Sequence, residues 1–275
     1  MKKVFTGLAL LLFSISLVSR AGDGDMKNFR FGGTVLPSLY WYKPDNLKKF
    51  SNDGSVFRFG VLINGEYSFS GNFAIGFGLG LSSAGGKIDF TGASKQDTVH
   101  YYYNDDNGIM TLADTSGLKG KFDHFRLIGR TYNASYYIIP ISLKMRTNEI
   151  GYMRYFFEPR LNVGLRKKVR CNDEVLNLKS NQSTSQKDLD ITKDMSFMRL
   201  SVTLSAGGEY SLSGSTALTF SIGYDYGLSN VVQKESEYLL KTPYASDSST
   251  PNATPKPIEQ KFVQGGLCMS VGILF

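Results

Sequence analysis

Cysteine is nearly absent from this chain: Cys171 and Cys268 are the two thiols among 275 residues. Two thiols exclude a disulfide framework, and their spacing is compatible with one pair or with two free thiols. Histidine is as scarce, with only His100 and His124, and neither a G-x-S-x-G nor an H-E-x-x-H pattern occurs. Past the first twenty-odd residues no stretch approaches about 18 consecutive apolar residues, which excludes a membrane-spanning helix. The formal net charge is a mild +7, too little to argue for nucleic acid.

The leader MKKVFTGLALLLFSISLVSRA stands apart from the rest. Lys2 and Lys3 precede an apolar run from Leu8 to Val18, followed by Ser19-Arg20-Ala21. This is the layout of a secretory signal, so residues 1–21 are expected to be cleaved and 22–275 to form the mature domain. Loss of Lys2, Lys3 and Arg20 leaves a net charge of +4.

Tyrosine (16), phenylalanine (19) and glycine (29) are plentiful, a composition suited to strands and tight turns. The stretch YMRYFFEPRLNVGLR, 152 to 166, shows how they are arranged. Met153, Tyr155, Phe157, Pro159, Leu161, Val163 and Leu165 carry no charge, whereas the alternate positions include Arg154, Glu158, Arg160 and Arg166. Period two marks a strand with different surroundings on its two faces. Seven further segments behave alike: 29–41, 57–69, 73–81, 135–145, 198–210, 218–228 and 263–275. Each holds at least the roughly 9–11 residues that a tilted strand needs to cross a bilayer.

Short connections (Ser70-Gly71-Asn72, Thr147 to Gly151, and the turn at Ser213-Gly214) alternate with long ones (Lys43 to Gly54, Thr91 to Tyr132, Cys171 to Met195, Asn230 to Lys261). The pattern predicts an all-β, eight-stranded antiparallel up-and-down transmembrane barrel with short periplasmic turns and long extracellular loops. Its apolar face carries no Asp, Glu, Lys or Arg, as contact with outer-membrane lipid demands. The other face is rich in small residues, such as Ala74, Gly76, Gly78 and Gly80, which suit a narrow interior. Phe69 and Phe73 are predicted to pair across the first turn, and Trp41 to stand at the outer rim.

Charges on the inner face are expected to form a structural lumen network of Arg58, Glu66, Arg154, Glu158, Arg160, Arg166, Arg199, Glu209 and Asp225, with Lys144 beside them. No catalytic, cofactor or metal residues are expected. His100 and His124 read as residues of a solvated loop tip. Asp105, Asp106 and Asn107 lack the full calcium-loop pattern and read as a polar turn. Tyr101-Tyr102-Tyr103 suggests either partner contact or a strand raised above the membrane with Tyr102 facing in. Residues 246–255 read as a flexible tip, and Asn252-Ala253-Thr254 as a chance sequon.

The hairpin YYIIPISLKMRTNEIGYMRYFFEPRLNVG, 136 to 164, resembles the central hairpin of the PorT-like outer-membrane barrels of Bacteroidetes-type bacteria. The likeness rests on Ile139-Pro140-Ile141, Leu143-Lys144, Thr147 to Gly151 and Tyr155-Phe156. Phe157, Pro159 and Arg160 depart from it. The resemblance implies a closed eight-stranded barrel in the outer membrane, exported, with Phe275 serving the barrel-assembly machinery as C-terminal signal. It carries over no catalytic residues and no shared activity, since fold is not function; the member that names the family takes part in protein secretion across the outer membrane. The expected function is therefore that of a non-enzymatic integral outer-membrane barrel, contacting a protein partner through its extracellular loops or periplasmic turns. An outer-membrane lipid-modifying enzyme and a small solute channel stay open as alternatives.

Overall fold

The computed structural model describes residues 28–91, 97–104, 108–111, 123–243 and 256–275. The leader, Asp105 to Asn107 and the 246–255 tip lie outside the described residues. Eight long strands form the wall: β1 (Phe29–Pro44), β2 (Val56–Ser70), β3 (Phe73–Asp89), β4 (Asp123–Arg146), β5 (Met153–Asn177), β6 (Met198–Ser213), β7 (Thr216–Asn230) and β8 (Phe262–Leu274). Each pairs antiparallel with the next, and β8 returns to β1 through pairs from Gly32–Leu274 to Pro44–Phe262. The sheet therefore closes on itself. At the seam the Phe275 amide donates to the Phe31 carbonyl at 2.7 Å.

Three short turns join β2 to β3, β4 to β5 and β6 to β7. Gly151 (φ 67°) and Gly214 (φ 58°) occupy left-handed positions in two of them, which a Cβ would strain. Across the first turn the rings of Phe69 and Phe73 stack with centroids 6.2 Å apart. Outward-facing apolar side chains form a continuous exposed belt: Val61 on β2, Leu79 on β3, Ile141 on β4, Leu204 on β6, Ile222 on β7 and Met269 on β8. Water would not leave so much apolar surface uncovered on one band, whereas hydrocarbon requires it. Trp41 sits near the outer edge of this belt, 6.1 Å from the Tyr224 ring.

Glycines of the inner face make room for large neighbours. A Cβ on Gly266 would lie 2.2 Å from the Tyr40 ring, and one on Gly76 would lie 2.4 Å from Ser142 Oγ.

The long connections depart from the sequence reading. Much of Thr91 to Tyr132, Cys171 to Met195 and Asn230 to Lys261 is strand rather than loop. β4 and β5 run to 24 and 25 residues, well past the belt, and carry the wall outward. Asp97–Asn104 pairs with β4, Glu235–Pro243 with Asp97–Asn104, Lys256–Glu259 with Glu235–Pro243, and Gln182–Asp190 with β5. Among the described residues, the result is an extension above the barrel made of these four strands and the outer parts of β4 and β5, with the two-residue strand Gly108–Ile109 paired onto Asp97–Asn104. It encloses an apolar core that includes Phe50, Ile88, Phe90, Phe125, Leu239 and Phe262. Phe50 packs edge-on against Phe90 and Phe262, at 5.4 and 5.2 Å.

Candidate functional site

The lumen is filled in layers, each set by the inward positions of neighbouring strands. At the turn end, Arg30 on β1 stands directly opposite Glu66 on β2 in register. Glu66 accepts from Arg30 Nη2 at 2.6 Å, from Lys144 Nζ at 2.7 Å and from Arg146 Nη2. Glu209 on β6 accepts from Arg30 Nη2 at 3.0 Å and from Lys144 Nζ at 3.1 Å. Carboxylates so far from bulk water need such partners, because desolvation would otherwise expel or neutralise them.

One layer further in, Arg160 Nη2 lies 3.0 Å from Glu158 Oε2, and the Lys144 ammonium lies 4.8 Å from the Phe156 ring centroid. Between these groups a cavity of about 40 Å³ remains. That is space for one or a few waters and not for a solute. Above it, Asp225 Oδ1 accepts from Thr203 Oγ1 at 2.8 Å, and Arg199 Nη1 lies 3.9 Å from Asp225 Oδ2. The Arg199 guanidinium sits between the rings of Tyr40 and Tyr136, at 5.8 and 5.2 Å, a cation–π arrangement inside the barrel.

Not every charge expected in the network joins it. Glu66, Glu158, Arg160, Arg199, Glu209, Asp225 and Lys144 come together as described. Arg154 lies at the turn-end rim, about one-third exposed, and pairs with Glu149 at 3.0 Å. Its strand neighbour Glu209 is already held by other cations. Arg58 donates to the backbone carbonyls of Phe57 and Tyr132, and Arg166 to those of Thr192 and Met195. Both stand near the loop end, where carbonyls of the connections are the acceptors at hand. Conversely, Arg30 and Arg146, two principal partners of the carboxylates, were not assigned to the lumen from sequence. Arg30 has the inward parity of its segment, and Arg146 continues that of 135–145 by one residue.

Beyond the belt the extension holds a second buried ion pair. Arg130 and Asp173 make two hydrogen bonds of 2.7 Å, and neither side chain reaches solvent. Tyr101 and Tyr132 flank the guanidinium at 6.0 and 5.9 Å. Burial works against the charged Arg130, but Asp173 more than offsets it and holds the guanidinium above its ordinary value. Burial pushes the Cys171 thiol well up. Cys171 and Cys268 are both free thiols. Asp194, in the turn Thr192–Asp194, accepts from the Ser236 hydroxyl and, at 2.6 Å, from the Glu237 amide. Burial raises its carboxyl pKa despite these bonds.

The histidines are not on a solvated tip. His100 is 2% exposed on strand Asp97–Asn104, opposite Arg126 of β4. Its ring lies 4.6 Å from that of His124, on which Tyr102 stacks at the same distance. Of the tyrosine triplet, Tyr101 is the buried member and not Tyr102. Among the described residues no group of three or more His, Cys, Asp or Glu could hold a metal ion.

Residues 20–233 match the family model described as the outer membrane protein beta-barrel domain. No curated protein matches the chain in sequence. Similar solved structures include Neisserial surface protein A, at 10% identity over 89% of this chain and 96% of that one, with a TM-score of 0.37. Others are a major outer membrane protein of Thermus thermophilus (12%, 90% and 99%, TM-score 0.36) and the attachment invasion locus protein Ail of Yersinia pestis (10%, 90% and 98%, TM-score 0.34).

Proposed function

Because the chain belongs to the outer membrane protein beta-barrel domain family and so resides in the outer membrane, we propose that it is a non-enzymatic barrel whose extracellular sheet docks a protein partner. One observation carries this reading. The wall continues past the lipid belt as a sheet with its own buried core and an open edge. Among the described residues, strand Gln182–Asp190 pairs only with β5, and most of its side chains are exposed. An edge of unpaired N–H and C=O groups is a template for an added strand. A rigid core behind it keeps that edge ready for a partner.

The filled lumen speaks against a solute channel, and the histidines, packed against aromatic rings, give the lipid-modifying reading no support. The resemblance of the 136–164 hairpin to PorT-like barrels favours a secretion component as the partner. The test is a photo-crosslinking amino acid at Thr184 in intact cells, with Phe220 on the lipid-facing belt as control. A discrete protein adduct from Thr184 and none from Phe220 supports the proposal. Its absence from Thr184 and other edge positions, or a steady open conductance of the pure barrel in planar bilayers, overturns it.

A further inference from the structure

Among the described residues, the periplasmic mouth of the lumen holds one positive charge more than its carboxylates can pair. Arg30, Lys144 and Arg146 are three cations, and Glu66 and Glu209 are the two carboxylates they share. The next pair inward, Glu158 with Arg160, is neutral as a unit, and so is the rim pair of Glu149 with Arg154. An excess charge held away from bulk water is unfavourable unless a counter-charge meets it.

The excess lies where the lumen opens. Arg30, Arg146 and Arg154, with Ser68 and Ser211, line a cavity of about 350 Å³ between the three short turns. The Arg146 side chain is only 3% exposed. Among the described residues its Nε has no hydrogen-bond acceptor: Glu209 Oε1 stands 3.8 Å away, beyond hydrogen-bond reach. A buried guanidinium donor without an acceptor, beside a polar cavity, marks a place that an anion can complete.

We propose that this mouth binds a small oxyanion of the phosphate class. Guanidinium forks match tetrahedral oxyanions, and the serine hydroxyls add neutral donors around them. The same chemistry is offered by free inorganic phosphate and by the phosphodiester of a phospholipid headgroup. This site is at the opposite end from the docking sheet, so either idea can fail without the other.

Titration of the folded barrel, in a phosphate-free zwitterionic detergent, with inorganic phosphate and observation of the ³¹P line tests the proposal. A parallel arm uses nanodiscs of phosphatidylglycerol against nanodiscs of a neutral glycolipid. Saturable broadening is expected, weakened about tenfold in Arg154→Gln, the equivalent of one charge-assisted hydrogen bond, and strengthened in Glu149→Gln. Response to phosphatidylglycerol alone assigns the oxyanion to the membrane leaflet. Arg146→Gln should abolish binding. Should that variant fail to fold, the two rim variants, each checked by heat modifiability, still decide. No saturable response in either arm, or equal binding by wild type, Arg154→Gln and Glu149→Gln, overturns it.

Discussion

Glu66 and Glu209 stand on β2 and β6, four strands apart on opposite walls, and Lys144 Nζ ties them together at 2.7 and 3.1 Å. Arg30 makes the same bridge at 2.6 and 3.0 Å. The barrel is thus strutted across its bore as well as hydrogen-bonded around its rim. Removing one strut partner leaves the others buried and uncompensated, a loss of about 3–5 kcal/mol. Glu66→Gln should lower the urea midpoint of unfolding in lipid vesicles accordingly. Adding Lys144→Met to it should recover much of the loss, because the two changes remove opposite charges from one network. Glu158→Ala should also destabilise, through the stranded Arg160. An unchanged midpoint in both Glu66→Gln and Glu158→Ala would show that the struts do not hold the wall.

Arg154 offers the contrast. It shares the inward parity of Glu158 and Arg160, yet it meets Glu149 at a rim where each side chain is 36% exposed. Exposed pairs are screened by water and contribute about 0–1 kcal/mol. Arg154→Ala should therefore shift the same midpoint barely at all, whereas Arg146→Ala, buried among the struts, should shift it strongly. Equal shifts would mean that depth in the lumen does not govern these charges.

The difference between these two arginines also shows what was legible in the sequence. Within the belt, lipid and lumen impose opposite demands on successive residues, so period two is written plainly in all eight segments and the barrel follows from it. Parity says that a residue points inward, but not how deep it sits or which partner is already taken. Arg154 looked like Glu158 for that reason. Above the belt the lipid constraint disappears, and irregular register hides what is left. On β5 the buried positions switch from Glu158 and Asn162 to Val169, Cys171 and Asp173, across the register shift at Ser135–Tyr136 of β4. On β4 they switch from Tyr132 and Arg130 to Leu127 and Phe125, next to the shift at Leu127–Gly129. With the alternation broken and Arg130 and Asp173 in the midst, these stretches read as polar loops. Their pairing is a tertiary fact, visible only once the two strands lie side by side.

That pair should control whether the extension stays closed. Asp173→Asn leaves Arg130 fully buried with a neutral partner, while the belt and the struts below are untouched. In a Cys268→Ser background the remaining thiol, Cys171, is 1% exposed and, by its raised pKa, poor in thiolate. Maleimide labelling of the intact barrel should therefore be very slow, and Asp173→Asn should accelerate it at least tenfold by local opening. Heat modifiability should be retained in both. If labelling is as slow in Asp173→Asn as in its parent, the extension does not depend on the ion pair.

Acid should loosen the same region by another route. Burial holds the His124 imidazole below its ordinary value, which is about 6.5. Between that value and the lowered one the unfolded segment binds a proton that the folded one does not, so stability rises with pH there. The contribution is complete above about pH 6.5 and is lost as pH falls toward the lowered pKa. Strand Asp97–Asn104 is the element at risk, because Tyr102 stacks on His124 and the His100 ring lies beside it. Amide exchange at Tyr101 to Tyr103, normalised to intrinsic rates, should show weaker protection at pH 5 than at pH 8. Amides of the belt strands, such as Leu204 and Ile222, should keep theirs. His124→Gln should flatten the dependence, since glutamine has no proton to gain. Protection at Tyr101 to Tyr103 that is the same at both pH values would rule out His124 as the acid-sensitive contact.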